Sequence, residues 1–289
     1  MFSLFYTKRK ILGLDITEEY IRYAVVVKSK KGNRVTLCGE EKIARVEPRN
    51  ALLSAIRNIM KKTKQKKANV SFSRDFVRSE TISIPTSVTK NITSEIEFRL
   101  TEKTLFSYGD SILYYEKFES INDRNFYTVF ISSTNNVAFL KSVFVHSGLR
   151  VGKLVSHKDA LVASCIRDGE INNAMVINSE YVRTDIAVFS PFNRFKEIHG
   201  RFVRDIIPQK IKETHQDFYS ISGDNISYFF LAGSLAQDFS FINFVSVQTR
   251  LPIQQADVFV NFTFNSGQLP PVTKEQSFLY AVALGAAIR

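Results

Sequence analysis

The residues best placed to do chemistry lie in a predicted β-hairpin near the start of the chain, Ile11 to Val26. Two apolar, β-rich runs flank a polar turn, and Asp15 stands just before that turn. A hairpin of this kind presents backbone N–H groups and a carboxylate, which suit a phosphate and its magnesium ion. The turn has Thr17, Glu18 and Glu19 where a phosphate cradle favours glycine and serine, so the pattern predicts a nucleotide-binding fold with weakened nucleotide chemistry.

The same theme returns in the second half of the chain. Strands at 174–177 and 185–189 flank the turn Asn178, Ser179, Glu180, Tyr181. Helices are predicted after it near 204–214 and 235–249, with a strand at 228–231 between them. Helical and strand patterns alternate along all 289 residues, which predicts an α/β class with two domains, or one domain with an insertion.

The segment between the hairpins has a different order of predicted strands and helices. Residues 71–142 follow the order β, α, β, β, α, and the polar turn 122–125 joins two of these strands as a hairpin. The last helix of this series is predicted at 135–147, and Gly148 suits its end. Elsewhere, Asn50 is predicted to cap a helix, and Thr273 with Gln276 forms a capping-box pair at the last helix. Residues 71–142 are therefore predicted to form a compact α+β insert.

Composition limits the partners. The net charge of +11 favours acidic partners such as anionic lipid, nucleic acid or an acidic protein segment. The 25 Phe and 11 Tyr residues are spread at core-like spacing, so no specific nucleic-acid partner is expected. Cys38 and Cys165 lie far apart, which fits a reducing compartment. No segment is long enough for a transmembrane helix or built as a signal peptide, so a cytoplasmic location is predicted.

The first ten residues, MFSLFYTKRK, leave two readings open. One is a frayed terminus. The other is a contact with an anionic membrane surface, in which Phe2, Leu4 and Phe5 insert while Lys8, Arg9 and Lys10 meet the headgroups.

No catalytic constellation is visible. The four histidines, His146, His157, His199 and His215, lack metal-ligand spacing, and the chain has no nucleophile elbow, Walker loop or CxxC pair. Sugar kinases need a catalytic aspartate beside a sugar pocket, and none can be placed here. Enzymatic activity is therefore not expected.

Four stretches together resemble the PilM family, the actin-like component of type IV pilus assembly, which is similar to FtsA. They are KILGLDITEEYIRYAVV; the series RSETISIP, YYEKF, FYTVFIS and HSGLRV; AMVINSEYVRTDIAVF; and FLAGSLAQDF with LYAVALGAAIR. The resemblance covers nearly the whole chain. It implies an actin-like, ribonuclease H-like α/β fold of two lobes, with residues 1–70 and 143–170 in the first lobe, 71–142 in an inserted α+β subdomain, and 171–289 in the second lobe.

The resemblance also implies roles at a nucleotide cleft. Asp15 would hold magnesium through water, Gly13 would help shape the first hairpin, and Arg22 would approach a phosphate. Asn178 and Glu180 stand where the family has Asp and Gly. The implied cofactor-binding positions are Gly13, Asp15, Thr17, Arg22, Asn178, Ser179, Thr184, Ala232, Gly233 and Ser234. From the residues alone, Asp15 has a second reading as a turn-capping carboxylate.

The implied cofactors are ATP and Mg²⁺, and the departures from the family pattern weaken them. Thr17 and Glu180 remove the backbone freedom that glycine gives a phosphate turn. Glu18 and Glu180 bring carboxylates toward a polyanion. Each costs roughly 2 kcal/mol at ~8 Å and an effective dielectric near 20, or about thirtyfold in affinity. We therefore expect tight MgATP binding to be weakened or lost.

The function implied by the resemblance is a cytoplasmic scaffold, peripheral to the inner membrane. It would accept the N-terminal tail of a PilN-like inner-membrane protein in a groove at the insert. An anionic membrane surface and a second copy of the chain are further possible partners. The alternatives are an ATP-binding, polymerising FtsA-like ATPase and a GspL-like component of type II secretion. A GspL-like portion normally precedes a transmembrane helix, which the sequence up to Arg289 lacks.

Overall fold

The computed structural model describes residues 9–30, 32–44, 47–102, 109–167, 172–190, 197–200, 202–263 and 272–289. Its strands are β1 (Arg9–Ile16), β2 (Tyr20–Ser29), β3 (Gly32–Lys42), β4 (Lys67–Phe72), β5 (Arg78–Pro85), β6 (Ser111–Ile121), β7 (Arg124–Ser133), β8 (Arg150–Leu154), β9 (Ala174–Ser179), β10 (Thr184–Phe189), β11 (Glu197–Gly200), β12 (Tyr228–Ala232), β13 (Ile253–Gln255) and β14 (Phe262–Thr263). Its helices are α1 (Pro48–Thr63), α2 (Ile92–Glu102), α3 (Thr134–Ser147), α4 (His157–Cys165), α5 (Ile207–Ser222), α6 (Phe239–Thr249), α7 (Lys274–Ser277) and α8 (Ala281–Ile288). Phe2, Leu4, Phe5 and Lys8 lie outside these residues.

The first sheet contains the first hairpin and has the strand order β14-β3-β2-β1-β4-β8. Strand β1 alternates strictly, because successive side chains point to opposite faces. Leu12, Leu14 and Ile16 are fully buried against α1 and α3. Burying each such side chain contributes roughly 1.5–3 kcal/mol. The same alternation turns Gly13 and Asp15 toward the opposite face, where the functional site lies.

A three-stranded antiparallel sheet, β5-β7-β6, follows the first lobe strands and carries α2 on one face. The hairpin between β6 and β7 turns at Asn122 and Asp123, which both have positive φ, 46° and 59°. Such a turn matches the twist of the flanking strands and favours Asn and Asp. The predicted hairpin is therefore present, and this sheet belongs to the segment predicted as an insert.

The second large sheet has the order β11-β10-β9-β12-β13. Its first pair, β9 and β10, is antiparallel and forms the second hairpin, while β12 and β13 pair in parallel. Parallel strands need crossover connections, which α5 and α6 supply. The two strand-turn-strand units predicted from the sequence are thus both hairpins at the centre of a large sheet.

Helices α4 and α8 lie between the two large sheets. They pack against each other, α8 also contacts β1, and α4 contacts β10. One buried apolar cluster runs through this layer from Ala24 and Val26 of the first sheet to Ile177 and Ile186 of the second. The two lobes therefore share a core, and the site residues described below sit at its edge. The exact division of the chain into lobes stays a prediction.

One predicted helix start is wrong, and the other, with Thr273 at the N-cap position, is right although its helix is not continuous. Helix α1 begins at Pro48, not after Asn50, because proline has the φ of a first helical residue and no N–H to satisfy. Asn50 instead donates a 2.8 Å hydrogen bond to the carboxylate of Glu47. The last helix is interrupted, since a 3-10 turn at Phe278–Tyr280 separates α7 from α8, and the Thr273 side chain makes no capping hydrogen bond. None of the helices in the described ranges has the length and apolarity of a membrane span.

Candidate functional site

Asp15 ends strand β1 at the centre of the site and faces the layer between the lobes. Its neighbour across that layer is His157, the first residue of α4, whose Nε2 lies 3.2 Å from Asp15 Oδ1. The other ring nitrogen, Nδ1, lies 3.2 Å from Oδ2 of Asp185 on strand β10. All three side chains are buried. The imidazole thus bridges a carboxylate of the first hairpin and a carboxylate of the second.

The charge of His157 follows from this position. Burial disfavours the imidazolium, but the flanking carboxylates of Asp15 and Asp185 outweigh that effect and raise the pKa of His157 to about 9. At neutral pH the ring therefore carries a positive charge between two negative ones. A cation between two aspartates is also what a magnesium ion would provide, so the ring occupies the electrostatic role predicted for Mg²⁺ beside Asp15.

Backbone N–H groups in the turn of the first hairpin already donate hydrogen bonds within the turn. The Oγ1 of Thr17 accepts hydrogen bonds from the backbone N–H groups of Glu19, at 3.2 Å, and Tyr20, at 3.0 Å. The Thr17 N–H donates to the carbonyl of Tyr20. These backbone groups are the ones a phosphate turn would offer to a ligand. Threonine at this position therefore closes the turn on itself, in addition to removing the backbone freedom of glycine.

Glu180 places its carboxylate between the two hairpins. Its Oε1 accepts a 2.6 Å hydrogen bond from Nη1 of Arg22, and its Oε2 lies 3.3 Å from Nη2 of the same guanidinium. The backbone N–H of Ser234 donates to Oε2 at 3.2 Å, and the Ser234 hydroxyl donates to it as well. Glu180 is 6% exposed and Arg22 is 4% exposed. A buried anion thus already sits among the phosphate-facing positions that the sequence predicted.

Arg22 has further partners that fix its head group. Its Nε donates to Glu40 at 2.9 Å, and the guanidinium carbon lies 4.0 Å from the centre of the Tyr20 ring. Burial disfavours the positive charge, but Tyr20 and Glu180 outweigh it, so the pKa of Arg22 is raised above its ordinary value. The predicted phosphate contact is a permanently charged group whose donors are directed at protein carboxylates and at Ser234.

The second hairpin also closes on itself. Within its turn, the N–H of Glu180 donates to the carbonyl of Arg183 at 2.7 Å. The Nε of Arg183 lies 3.2 Å from Asp185 Oδ2, and this guanidinium is buried beside the His157 bridge. At the base of the hairpin, the hydroxyls of Ser179 and Thr184 lie 2.9 Å apart.

The predicted adenosine turn joins the site through strand pairing. Ala232 lies opposite Asn178 in the parallel register of β12 and β9. Gly233 follows with φ of 84°, a conformation that L side chains rarely adopt. A Cβ at Gly233 would also overlap the backbone carbonyl of Ser179. Nine of the ten predicted positions therefore lie close together where the two hairpins meet the turn at 232–234, and one does not.

The exception is Gly13, whose observed role differs from the predicted one. It lies two residues before Asp15 on the same face of β1, against helix α8. A Cβ here would overlap the carbonyl oxygen of Ala283 and the backbone nitrogen of Ala287. Gly13 therefore gives α8 room to approach the strand, and it shapes the packing beneath the hairpin.

Sequence reasoning missed five members of the site: Tyr20, Glu40, His157, Arg183 and Asp185. One signal for Asp185 was available, because it lies directly opposite Asn178 in the antiparallel register, as Arg22 lies opposite Asp15. Glu40 likewise pairs with Arg22 across β2 and β3. His157 has no local signal, since its two partners lie on strands of different sheets.

As arranged, these side chains do not fit MgATP. The first turn's donors are used internally, Arg22 and Ser234 are bound to Glu180, and both aspartates are bound to His157. A nucleotide would have to displace the Glu180 carboxylate from its partners. Across the part of the chain that the structure describes, no group of three or more His, Cys, Asp or Glu side chains could hold a metal ion.

No protein-family model and no curated protein sequence matches the chain. Solved structures do match it. The PilM-PilN type IV pilus biogenesis complex superposes with a TM-score of 0.80 at 12% identity, over 97% of this chain and 98% of that one. The cytoplasmic domain of EpsL, an inner-membrane component of the type II secretion system of Vibrio cholerae, matches with a TM-score of 0.56 at 10% identity, over 94% of each chain.

A Bacteroides thetaiotaomicron protein with an actin-like ATPase fold matches with a TM-score of 0.54 at 11% identity, over 88% of this chain and 93% of that one. At such identities the likeness establishes the fold. The chain has the actin-like α/β fold that the family resemblance implied.

Proposed function

We propose that this chain is a PilM-like scaffold of type IV pilus assembly, located in the cytoplasm beside the inner membrane. The observation that carries the proposal is the extent of the structural likeness. The match to the chain of the PilM-PilN complex includes nearly all of both chains at a TM-score of 0.80, whereas two other actin-like matches over most of the chain reach only 0.54 and 0.56. Both large sheets and the three-stranded sheet of residues 71–142 contribute to a match of that extent.

A groove between the three-stranded sheet and the lobes is a suitable binding place for a partner's tail. It has a volume of about 460 Å³. Strand β7 contributes Thr128 and Phe130, β8 and the residue after it contribute Leu154 and Val155, and α4 and β10 contribute Val162 and Phe189. The groove is also lined by charged residues, namely Glu116, Lys153, Lys158, Asp159 and Arg289, so it offers a ligand both apolar surface and polar groups.

Strand β8 offers the groove a free backbone edge. It pairs with β4 on one side and is the last strand of its sheet among the described strands. An exposed edge is a template on which an extended peptide forms main-chain hydrogen bonds, while side pockets select alternate side chains. We therefore propose that the N-terminal tail of a PilN-like inner-membrane protein lies along β8 in this groove.

In this proposal, a bound nucleotide is not needed to hold the two lobes together. Glu180 supplies the anion between the hairpins, and His157 supplies the cation between Asp15 and Asp185, so the lobes are held together without MgATP. The Arg22–Glu180 pair is hydrogen-bonded on both sides, which avoids the penalty of an unpaired buried charge. The chain would act as a fixed adaptor, and tight ATP binding and hydrolysis would play no part.

The test is peptide binding at the groove. Labelled N-terminal peptides of inner-membrane pilus proteins from the same genome would be titrated with the purified chain, with fluorescence anisotropy as the readout. Thr128→Trp fills the groove from strand β7 and is expected to weaken the binding of a PilN-like peptide about tenfold or more. Thr101→Trp on α2 is the control, because it adds the same bulk at an exposed position outside the groove.

Two outcomes would overturn the proposal. One is that no PilN-like tail binds, and the other is that both tryptophan variants weaken binding equally. Tighter binding of a tail from a type II secretion component would favour the EpsL-like alternative, which the second structural match supports. Filaments that sediment only with ATP would favour an FtsA-like polymer.

A further inference from the structure

A second cavity, on the other side of the three-stranded sheet, is lined by three arginines. It has a volume of about 590 Å³ and lies between the segment 74–78, the N-terminal end of α3 and the second hairpin. Arg74, Arg78 and Arg183 reach it from these different parts of the chain, and Asp75 is the acidic residue in its lining. Arg74 and Arg78 form no ion pair with any described residue, whereas Asp75 has a partner of its own.

Arg183 is the unusual member of this group. Its side chain is only 9% exposed, yet its Nε and Nη2 have no hydrogen-bond partner among the described residues. Its contact with Asp185 is a 3.2 Å ion pair without hydrogen-bond geometry, and Asp185 is also bound to His157. A buried guanidinium with unused donors is costly unless something else satisfies it. Both nitrogens lack solvent access, so these two donors stay inside the protein and Arg183 contributes its buried positive charge to the cavity wall.

The remaining lining suits an anion as well. Helix α3 has 14 residues and begins at the cavity, so the positive end of its dipole is directed there. The hydroxyl of Ser111 and the side-chain amide of Asn136 add polar groups, although the Asn136 amide also donates to the backbone carbonyls of Asp75 and Phe76. Guanidinium groups bind phosphate through two parallel hydrogen bonds, which a point charge does not allow.

We propose that this cavity, defined by Arg74, Arg78 and Arg183, is a binding site for a small phosphate-bearing anion. None of the ten predicted cofactor-binding positions lines it, and Arg183, in the turn of the second hairpin, is a residue that it shares with the site described above. The neighbouring cavity at the hairpin tips shares Asp75, Phe76, Asn136 and Arg183 with it. That cavity adds Glu18, Glu19 and Glu180 and lacks Arg74 and Arg78, so the two differ in charge. The site does not depend on the proposed tail-binding groove, so the two proposals stand or fall separately.

Isothermal titration of the full chain with pyrophosphate tests the site. Saturable binding with one site per chain is expected. The double variant Arg74→Gln, Arg78→Gln is expected to weaken pyrophosphate binding by at least about tenfold, because it removes two charge-assisted donors from the cavity. Neither of these two side chains is buried, so the variant should fold, and the melting curve of each variant checks this.

The matched control removes the same charge elsewhere. Arg150 and Arg167 are exposed and do not line the cavity, so the double variant Arg150→Gln, Arg167→Gln is expected to bind pyrophosphate like the unmodified chain. Equal weakening in both double variants would show nonspecific attraction to a chain of net charge +11 and would overturn the proposal. Absence of saturable binding would overturn it too.

Two further titrations identify the source of the phosphate. Inorganic phosphate and ATP are compared with pyrophosphate on the same variants. If ATP competes with pyrophosphate and depends on Arg74 and Arg78, the ligand is the phosphate chain of a nucleotide. If ATP does not compete, the site selects a free phosphate or pyrophosphate.

Discussion

At the scale of single residues, a few side chains do the electrostatic work that a ligand does in an open nucleotide site. Glu180 binds Arg22 and Ser234, and His157 binds Asp15 and Asp185. The sequence predicted that Glu180 would repel a nucleotide from a distance. The structure shows a stronger effect, because the carboxylate lies within the cradle and is bound by it.

Replacement of Glu180 by glycine, the residue implied at this position by the PilM resemblance, should reopen the cradle. Arg22 keeps Glu40 but loses its buried partner, so the variant should lose roughly 3–5 kcal/mol of unfolding free energy without ligand. MgATP affinity should rise at least about tenfold, because Arg22 and the Ser234 N–H become free. Calorimetric titration and urea unfolding with and without MgATP measure both effects.

Glu18→Gly provides the comparison for this experiment. It removes one carboxylate from the neighbouring turn, where the residue is exposed and lies outside the contacts of Arg22 and Ser234. The free energy of unfolding of the Glu18→Gly variant should stay close to that of the unmodified chain. Identical MgATP affinities for the Glu180→Gly variant and the unmodified chain would show that Glu180 does not control the cradle.

At the scale of elements, the site depends on how closely helix α8 approaches strand β1. The helix sequence is rich in alanine and glycine, and Gly13 leaves room for its backbone. Because α8 also packs on α4, it sets the position of the helix that begins with His157. Small residues in the last helix thus determine where a side chain on a different helix meets Asp15.

Gly13→Ala tests this packing. The added Cβ meets backbone atoms of Ala283 and Ala287, which cannot rotate away, so α8 has to shift. A loss of about 1–3 kcal/mol or more in unfolding free energy is expected from urea titration. Gly152→Ala on β8 is the control, because its nearest contact is the flexible end of Lys67. Equal losses in the two variants would contradict this account of α8.

At the scale of the whole molecule, charge is distributed unevenly. The chain is strongly basic, yet the cleft between the lobes contains Asp15, Asp185 and Glu180, each paired with a buried cation. The His157 bridge joins β1 of the first sheet to β10 of the second, so its protonation contributes to the association of the lobes. Stability should therefore depend on pH through one buried histidine.

The sign of that dependence follows from the raised pKa of His157, about 9 against an unfolded value near 6.5. The stabilisation is complete below pH 6.5 and is lost as the pH rises through about 9, a change of roughly 3 kcal/mol. Unfolding by urea at several pH values measures the slope. His157→Gln should remove most of the dependence of the unfolding free energy on pH. His146→Gln, at an exposed position, should leave that dependence unchanged. A His157→Gln variant with the slope of the unmodified chain would contradict the bridge.

Local sequence patterns determined much of this protein. The two hairpins, the β-α-β-β-α series between them, the turn at Asn122 and Asp123, and the absence of glycine from both phosphate turns are all readable along the chain. These features depend on periodicity and on backbone preferences of single residues, which are short-range properties. They were enough to predict an α/β class and a weakened nucleotide site, whereas the actin-like fold was implied by the resemblance of four stretches to the PilM family.

Only the tertiary structure decided what the site contains. Arg22 and Glu180 are 158 positions apart, and His157 meets two strands that belong to different sheets. No periodicity encodes such contacts, because they depend on how the lobes close over α4 and α8 and on the direction each side chain takes at a turn. The sequence therefore predicted weakened nucleotide binding. The packing of the lobes determined that the Glu180 carboxylate binds the groups that would otherwise face a phosphate.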